Sequence, residues 1–250
     1  MAPSTRRSAG TSSRRATVTR RRQTASTSRS AAAPRTSTSG PAETDPVAQS
    51  VVLARHGETE WSLSGRHTGT TDLPLTEKGR RQAKALAPEL RSWAFSLVLT
   101  SPLQRALETC RLAGYGEQAR VQSDLVEWNY GRYEGLTSKQ IEAVHPNWSL
   151  WKDGGPGGEI AADVGRRADR VIAEVRRVSG DVLIFAHGHV LRVLASRWLG
   201  QPPEGGRHYA LQTATLSVLG HEHADPVLQR WNLPPTSWTR PPARLDVDHV

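Results

Sequence analysis

The chain has one cysteine, Cys110, in 250 residues, so it can form no internal disulfide and holds no cysteine cluster for a structural metal. It lacks any run of about 18 apolar residues, and no apolar stretch of signal-peptide length occurs near its N-terminus. These absences lead to the expectation of a soluble, cytoplasmic protein that does not enter a membrane. Acidic residues are scarce in one region: the first 45 residues hold nine arginines against Glu43 and Asp45, which is +7 of the formal +9. The rest carries 24 basic and 22 acidic side chains, so only the tail is basic and nucleic acid is not an expected partner of the folded part.

Residues 1–46 also lack aromatic side chains, with only Met1 and Val18 as larger apolar ones. Such a segment buries too little surface to offset its ordering entropy and is expected to be disordered. A polyanion-binding arm, an Arg- and Ser-rich targeting peptide and a functionless extension all fit it. One domain is expected over 47–232, with room for a proper core, and a loose Pro-rich tail over 233–250.

Within that domain, short apolar runs alternate with amphipathic stretches, which reads as an α/β fold. Val51 to Ala54, Ser96 to Thr100 and Asp181 to Ala186 read as buried strands; Ala210 to Leu219 and Val227 to Trp231 read as two more. Thr76 caps a helix expected over Glu77 to Trp93, with Pro88 marking a kink or early stop. Ser101 and Pro102 read as the N-cap and first residue of a helix through Arg105 to Ala113. Ser138 to Val144 suggests a short helix, and Ile160 to Ser179 has the clearest helical spacing, stopped by Gly180. A helix is also expected over Val190 to Leu199. Ser62 to Thr76 and Trp148 to Glu159 read as irregular loops; the glycines of the second do not match a dinucleotide fingerprint.

Three of the strands share one design. Each apolar run ends in a basic residue or histidine: Arg55 and His56 after the first, Arg105 after the second, His187 after the third. In a parallel sheet these ends lie on one edge, where ligands collect. Like charges gathered there need an anion, and guanidinium geometry suits phosphate.

The motifs R-H-G-E-T at Arg55 to Thr59, S-P-L-Q-R-A-L-E-T at Ser101 to Thr109, E-W-N-Y-G-R-Y-E-G at Glu127 to Gly135 and A-H-G-H at Ala186 to His189 resemble those of the histidine phosphatase superfamily. The resemblance spans about Ser50 to Leu219 in order. It implies a three-layer α/β/α sandwich with a mostly parallel central sheet, and phosphoryl transfer that needs no cofactor and no metal. It further implies that His56 is a nucleophile forming a phosphohistidine and that Glu127 donates a proton to the leaving oxygen. Arg55, Arg105, His187 and Gly188 would hold the phosphoryl oxygens. Ser62 stands where many members carry a phosphate-binding Asn. Glu58 is an alternative donor, and Arg66, Thr68 and Gly69 are candidate substrate contacts. His67 and His189 read as polar loop residues, since H-G-H without nearby carboxylates is not a convincing metal pair.

Neighbouring guanidiniums should keep His56 neutral, and Trp128, Tyr130 and Tyr133 should form apolar surroundings that keep Glu127 protonated. Fifty-nine residues separate Glu127 from His187, too few for the long wall that encloses a mutase pocket as well as a long helix. Hydrolysis of small phosphomonoesters, sugar phosphates or phosphoglycerate-like, is therefore favoured. A cofactor-dependent phosphoglycerate mutase and a polyanion-binding protein with a vestigial site are the alternatives. The oligomeric state is left open.

Overall fold

The structure is a computed structural model that describes residues 49–235. The expected disordered segment over 1–46 and most of the expected tail over 233–250 lie outside the described residues. Among the described residues no helix is long and apolar enough to cross a membrane.

Six strands form one sheet. Strand β1 is Val51–Arg55, β2 Phe95–Thr100, β3 Ala119–Val121, β4 Asp181–Ala186, β5 Leu216–Glu222 and β6 Asp225–Leu233. Their order is β3-β2-β4-β1-β5-β6. The first four run parallel; β5 is antiparallel to β1, and β6 to β5. The expected mostly parallel sheet is thus extended by an antiparallel hairpin.

Alternation along β1 explains the layers. Val51 and Leu53 face a core shared with helices α6 (Ala161–Val175) and α7 (Gly188–Trp198). Val52 and Ala54 face the opposite core, closed by α2 (Glu77–Leu90) and α3 (Gln104–Leu112). Both faces being covered, the strands read as continuous apolar runs. Parallel register sets the edge: Arg55 lies opposite Ala186, and Thr100 opposite Phe185. His56 N–H then donates to Ala186 O at 3.0 Å and Ser101 N–H to Phe185 O at 2.9 Å, so residues 56, 101 and 187 leave the sheet at one level.

Several expected boundaries move. Helix α3 begins at Gln104, two residues later than expected, because Ser101 lies against His187 and is not an N-cap. Helix α2 continues two residues past Pro88, which sits in its final turn. Helix α6 ends at Val175, ahead of Gly180, where the Gln49 amide donates to the carbonyls of Val175, Val178 and Gly180. The strand expected from Ala210 starts only at Leu216. Ala214 takes a left-handed conformation (φ 52°) so that its N–H reaches the carbonyls of Arg55 and His56. Helix α4 is Ser138–Val144, as expected. Two short helices were not expected: α1 (Glu60–Ser64), which runs into the loop expected from Ser62, and α5 (Leu150–Asp153), inside the loop expected over Trp148 to Glu159.

Candidate active site

At the carboxyl ends of β1 and β4 lies a cavity of about 180 Å³ lined by residues that include Arg55, His56, Glu127, Gly188, His189 and Arg192. A larger groove of about 960 Å³ beside β3 and α3 contains none of the expected site residues.

His56 is held by its own loop. Its Nδ1 lies 2.7 Å from the carbonyl oxygen of Gly57. A carbonyl can only accept, so Nδ1 carries the proton and Nε2 keeps its lone pair. Burial first, then the Arg55 and Arg105 charges, hold this imidazole well below its ordinary value, so it is neutral near pH 7. The loop is fixed by a crossing of bare backbone: a Cβ on Gly57 would stand 2.4 Å from Gly79 O, and one on Gly79 2.1 Å from Glu58 O. Gly57 N–H also donates to Thr109 Oγ1 at 3.0 Å.

Arg55 donates from Nη1 to Leu211 O, while its buried Nε has no hydrogen-bond partner among the described residues. A Cβ on Gly188 would come within 3.3 Å of the Arg55 guanidinium carbon, so glycine there lets helix α7 start against that side chain. Arg105, in the first turn of α3, is fully buried. It donates from Nη1 to Thr71 O and from Nη2 to Thr68 O and Gly69 O, all at 3.0–3.1 Å. Its Nε donates to His187 Nδ1 at 3.0 Å. His187 therefore carries its proton on Nε2, which donates to Ser101 Oγ at 2.7 Å. The His56 and His187 rings lie 5.1 Å apart.

Glu127 has surroundings different from the expected apolar cage. Its Oε1 accepts from the backbone N–H groups of Trp128 and Val190, and Oε2 from that of His189, each at 2.9 Å. The carboxylate thus satisfies the open N-terminus of α7, whose N-cap, His187, makes no side-chain cap. Oε2 accepts one N–H and has capacity left for a proton. A second layer grips this segment. Buried Arg167 of α6 donates from Nη1 to the carbonyls of Asp124 and Val126 and pairs through Nε and Nη2 with the Glu159 carboxylate, whose Oε2 also accepts from Asn129 N–H.

The structure sorts the remaining candidates. Ser62 lines the cavity, but its single O–H donates to Thr59 O and its oxygen accepts from Thr59 N–H, closing the capping box of α1. Arg66 and Thr68 line the cavity; the Arg66 guanidinium is exposed and makes no hydrogen bond or ion pair among the described residues. Gly69 does not line it. A Cβ there would lie 2.4 Å from Trp128 O, and its backbone is tied to Glu134 and Arg105. Glu58 faces away, held by Lys78 Nζ at 2.7 Å and Thr76 Oγ1 at 3.0 Å, and the Lys78 hydrogen bond lowers its pKa. Among the described residues no group of three His, Cys, Asp or Glu is placed to hold a metal ion.

Three cavity residues were given no part in the site by the sequence reading. His67 and His189, expected as polar loop residues, stand on its wall with Arg192. A signal existed for two of them: once Gly188 opens a helix, residues 189 and 192 fall on one face at a spacing of three.

The family model of the histidine phosphatase superfamily, branch 1, matches residues 51–234. An acid phosphatase of Mycobacterium tuberculosis is 42% identical over 177 residues, 69% of this chain and 87% of the relative. A sedoheptulose 1,7-bisphosphatase of Saccharomyces cerevisiae is 34% identical over 181 residues, 60% and 67% of the two chains. A probable phosphoglycerate mutase of Yersinia enterocolitica is 31% identical over 194 residues, 72% and 89%. A solved structure of a Mycobacterium tuberculosis open reading frame superposes with a TM-score of 0.72 at 40% identity, covering 75% of this chain and 98% of that one.

Proposed function

The chain belongs to the histidine phosphatase superfamily, and we propose that it is a phosphoric monoester hydrolase of the acid phosphatase type, acting on small phosphomonoesters through a phosphohistidine. The observation that carries this reading is the fixed tautomer of His56: with Nδ1–H on Gly57 O, its neutral Nε2 keeps a lone pair in a cavity shared with Glu127 and with Arg55, whose Nε is unpartnered among the described residues.

In the first step His56 Nε2 attacks phosphorus, the P–O ester bond breaks, and the departing oxygen takes the proton from Glu127. In the second, water attacks phosphorus, the P–N bond breaks, and Glu127 carboxylate takes the proton from water. Inorganic phosphate leaves and both residues return to their starting states. Arg55 supplies its free Nε–H to the phosphoryl oxygens, and Gly188 leaves room for that contact. Arg105 and His187 are fully buried and do not line the cavity; Arg105 keeps one uncommitted N–H and His187 can exchange Ser101 for a phosphoryl oxygen once phosphate enters, and both then stabilise charge as it builds. Ser62 is left out of the phosphate set because its only donor is engaged, and Gly69 and Glu58 act through the fold. Arg66 and Thr68 remain at the rim as substrate contacts. This scheme uses the chain's own guanidiniums and imidazoles throughout.

A mutase hands the phosphoryl group from His56 to a bound phosphoglycerate instead of to water, so the two readings differ in the acceptor and in whether inorganic phosphate appears. The test is phosphate release over a panel of phosphomonoesters that includes 3-phosphoglycerate and 2,3-bisphosphoglycerate. Release from several esters, and a fall of at least about 10⁴-fold in the His56→Ala variant, are expected. Isomerised phosphoglycerate without phosphate release, or an active His56→Ala variant, refutes the reading.

A further inference from the structure

Two histidines that the phosphoryl chemistry leaves unused stand on one wall of the cavity. His67 comes from the loop after α1 and His189 from the first turn of α7, with their rings 6.2 Å apart. The Tyr130 ring sits against both, 4.7 Å from His67 and 5.8 Å from His189, while Trp148 meets His67 edge-on at 5.6 Å. This packing holds each imidazole at a fixed angle.

Their protons are assigned by their partners. The buried Tyr130 hydroxyl lies 2.6 Å from His189 Nδ1, and burial pushes the phenol well above its ordinary value, so it stays protonated and donates. His189 therefore carries its own proton on Nε2, which makes no hydrogen bond among the described residues. His67 meets Ser138 Oγ through Nε2 at 3.3 Å and leaves Nδ1 without a protein partner among them. Burial lowers the pKa of both rings, so each offers a neutral nitrogen. A neutral imidazole can donate to a hydroxyl or accept from one, but it does not balance a charge. Arg192, next to them, donates to Gly206 O and Arg207 O and lies over the Trp151 ring.

We propose that His67 and His189 form the subsite for the leaving group, and that they hold it through hydroxyl groups, as on a polyhydroxylated group of about one sugar ring. The proposal rests on the phosphatase reading. The cavity, about 180 Å³ against roughly 300 Å³ or more for drug-sized ligands, limits the leaving group to a small one.

The experiment compares kcat/KM for glucose 6-phosphate, 3-phosphoglycerate and p-nitrophenyl phosphate in the wild type, His67→Phe and His189→Phe. Phenylalanine keeps the ring and removes the nitrogens; His189→Asn, which keeps an acceptor for Tyr130, serves if His189→Phe does not fold. Each variant should lose at least about ten-fold more on the sugar phosphate than on the aryl phosphate, the scale of one hydrogen bond, with 3-phosphoglycerate following the aryl ester. Equal losses on all three, no loss, a larger loss on 3-phosphoglycerate, or a wild type that hydrolyses the aryl but not the sugar ester overturns the subsite. A wild type that releases phosphate from none of the three overturns the phosphatase reading itself.

Discussion

At the scale of single residues, an imidazole is nucleophilic only while a ring lone pair is free, and two features leave His56 in that state: the Gly57 carbonyl and the adjoining guanidiniums. Under the proposed scheme Glu127 has the harder task, since three backbone N–H groups point at a carboxylate that the scheme also asks to carry a proton. Its contribution should depend on the leaving group. Glu127→Gln is expected to slow alkyl phosphates by about 10²–10⁴-fold and aryl phosphates much less, because a phenolate departs without help. A plot of log kcat/KM against leaving-group pKa checks this; an unchanged slope would rule out the acid role. His56, Arg55, Arg105 and His187 were legible in the sequence because each follows an apolar run whose end is a fixed place in the fold. The surroundings of Glu127 were not. Trp128 and Tyr130 beside it in the chain suggested an apolar cage, whereas the groups that meet its oxygens are backbone amides, two of them 62 and 63 residues away.

At the scale of elements, periodicity identifies those long enough to show it. The apolar spacing of α6 spans four turns and was plain, while α1 and α5, with five and four residues, are too short for any face to repeat. What makes α1 helical is its capping box between Thr59 and Ser62, a pair whose serine also invites a reading as a phosphate ligand. Helix α6 has a task beyond its core face, since Arg167 ties it to the backbone on both sides of Glu127. Removing one partner of a buried ion pair leaves the other uncompensated. Arg167→Met is therefore expected to lower unfolding free energy by about 3 kcal/mol, read as a reduced denaturant midpoint at unchanged m-value. A loss under about 1 kcal/mol would show that the pair is not a structural anchor.

At the scale of the whole molecule, buried imidazoles set how stability responds to acid. His56, His187 and His189 all lie well below their ordinary value of 6.5, each chiefly through burial. Between 6.5 and the lowered native values the unfolded chain binds protons that the native protein refuses. Stability should therefore be level above about pH 7 and fall as pH drops below 6.5, approaching about 1.4 kcal/mol per pH unit for each histidine. Thermal unfolding from pH 8 to pH 5 measures it; a melting temperature that rises on acidification would contradict the neutral assignment. The layered plan, and the sheet edge at which residues 56, 101 and 187 emerge together, were readable from strand runs and helical spacing. The antiparallel hairpin was not, because direction is set by where Ala214 turns the chain back onto β1.

The crossing of Gly57 and Gly79 bears on how this protein can vary. Gly57 accommodates the carbonyl of Gly79, and Gly79 the backbone of Glu58, so a side chain at either position meets main chain, which no substitution elsewhere can trim. Sequence space around His56 is consequently closed at two positions 22 residues apart, while the exposed Arg66 at the cavity edge carries no such constraint. Change can accumulate at that edge without disturbing the loop that fixes His56.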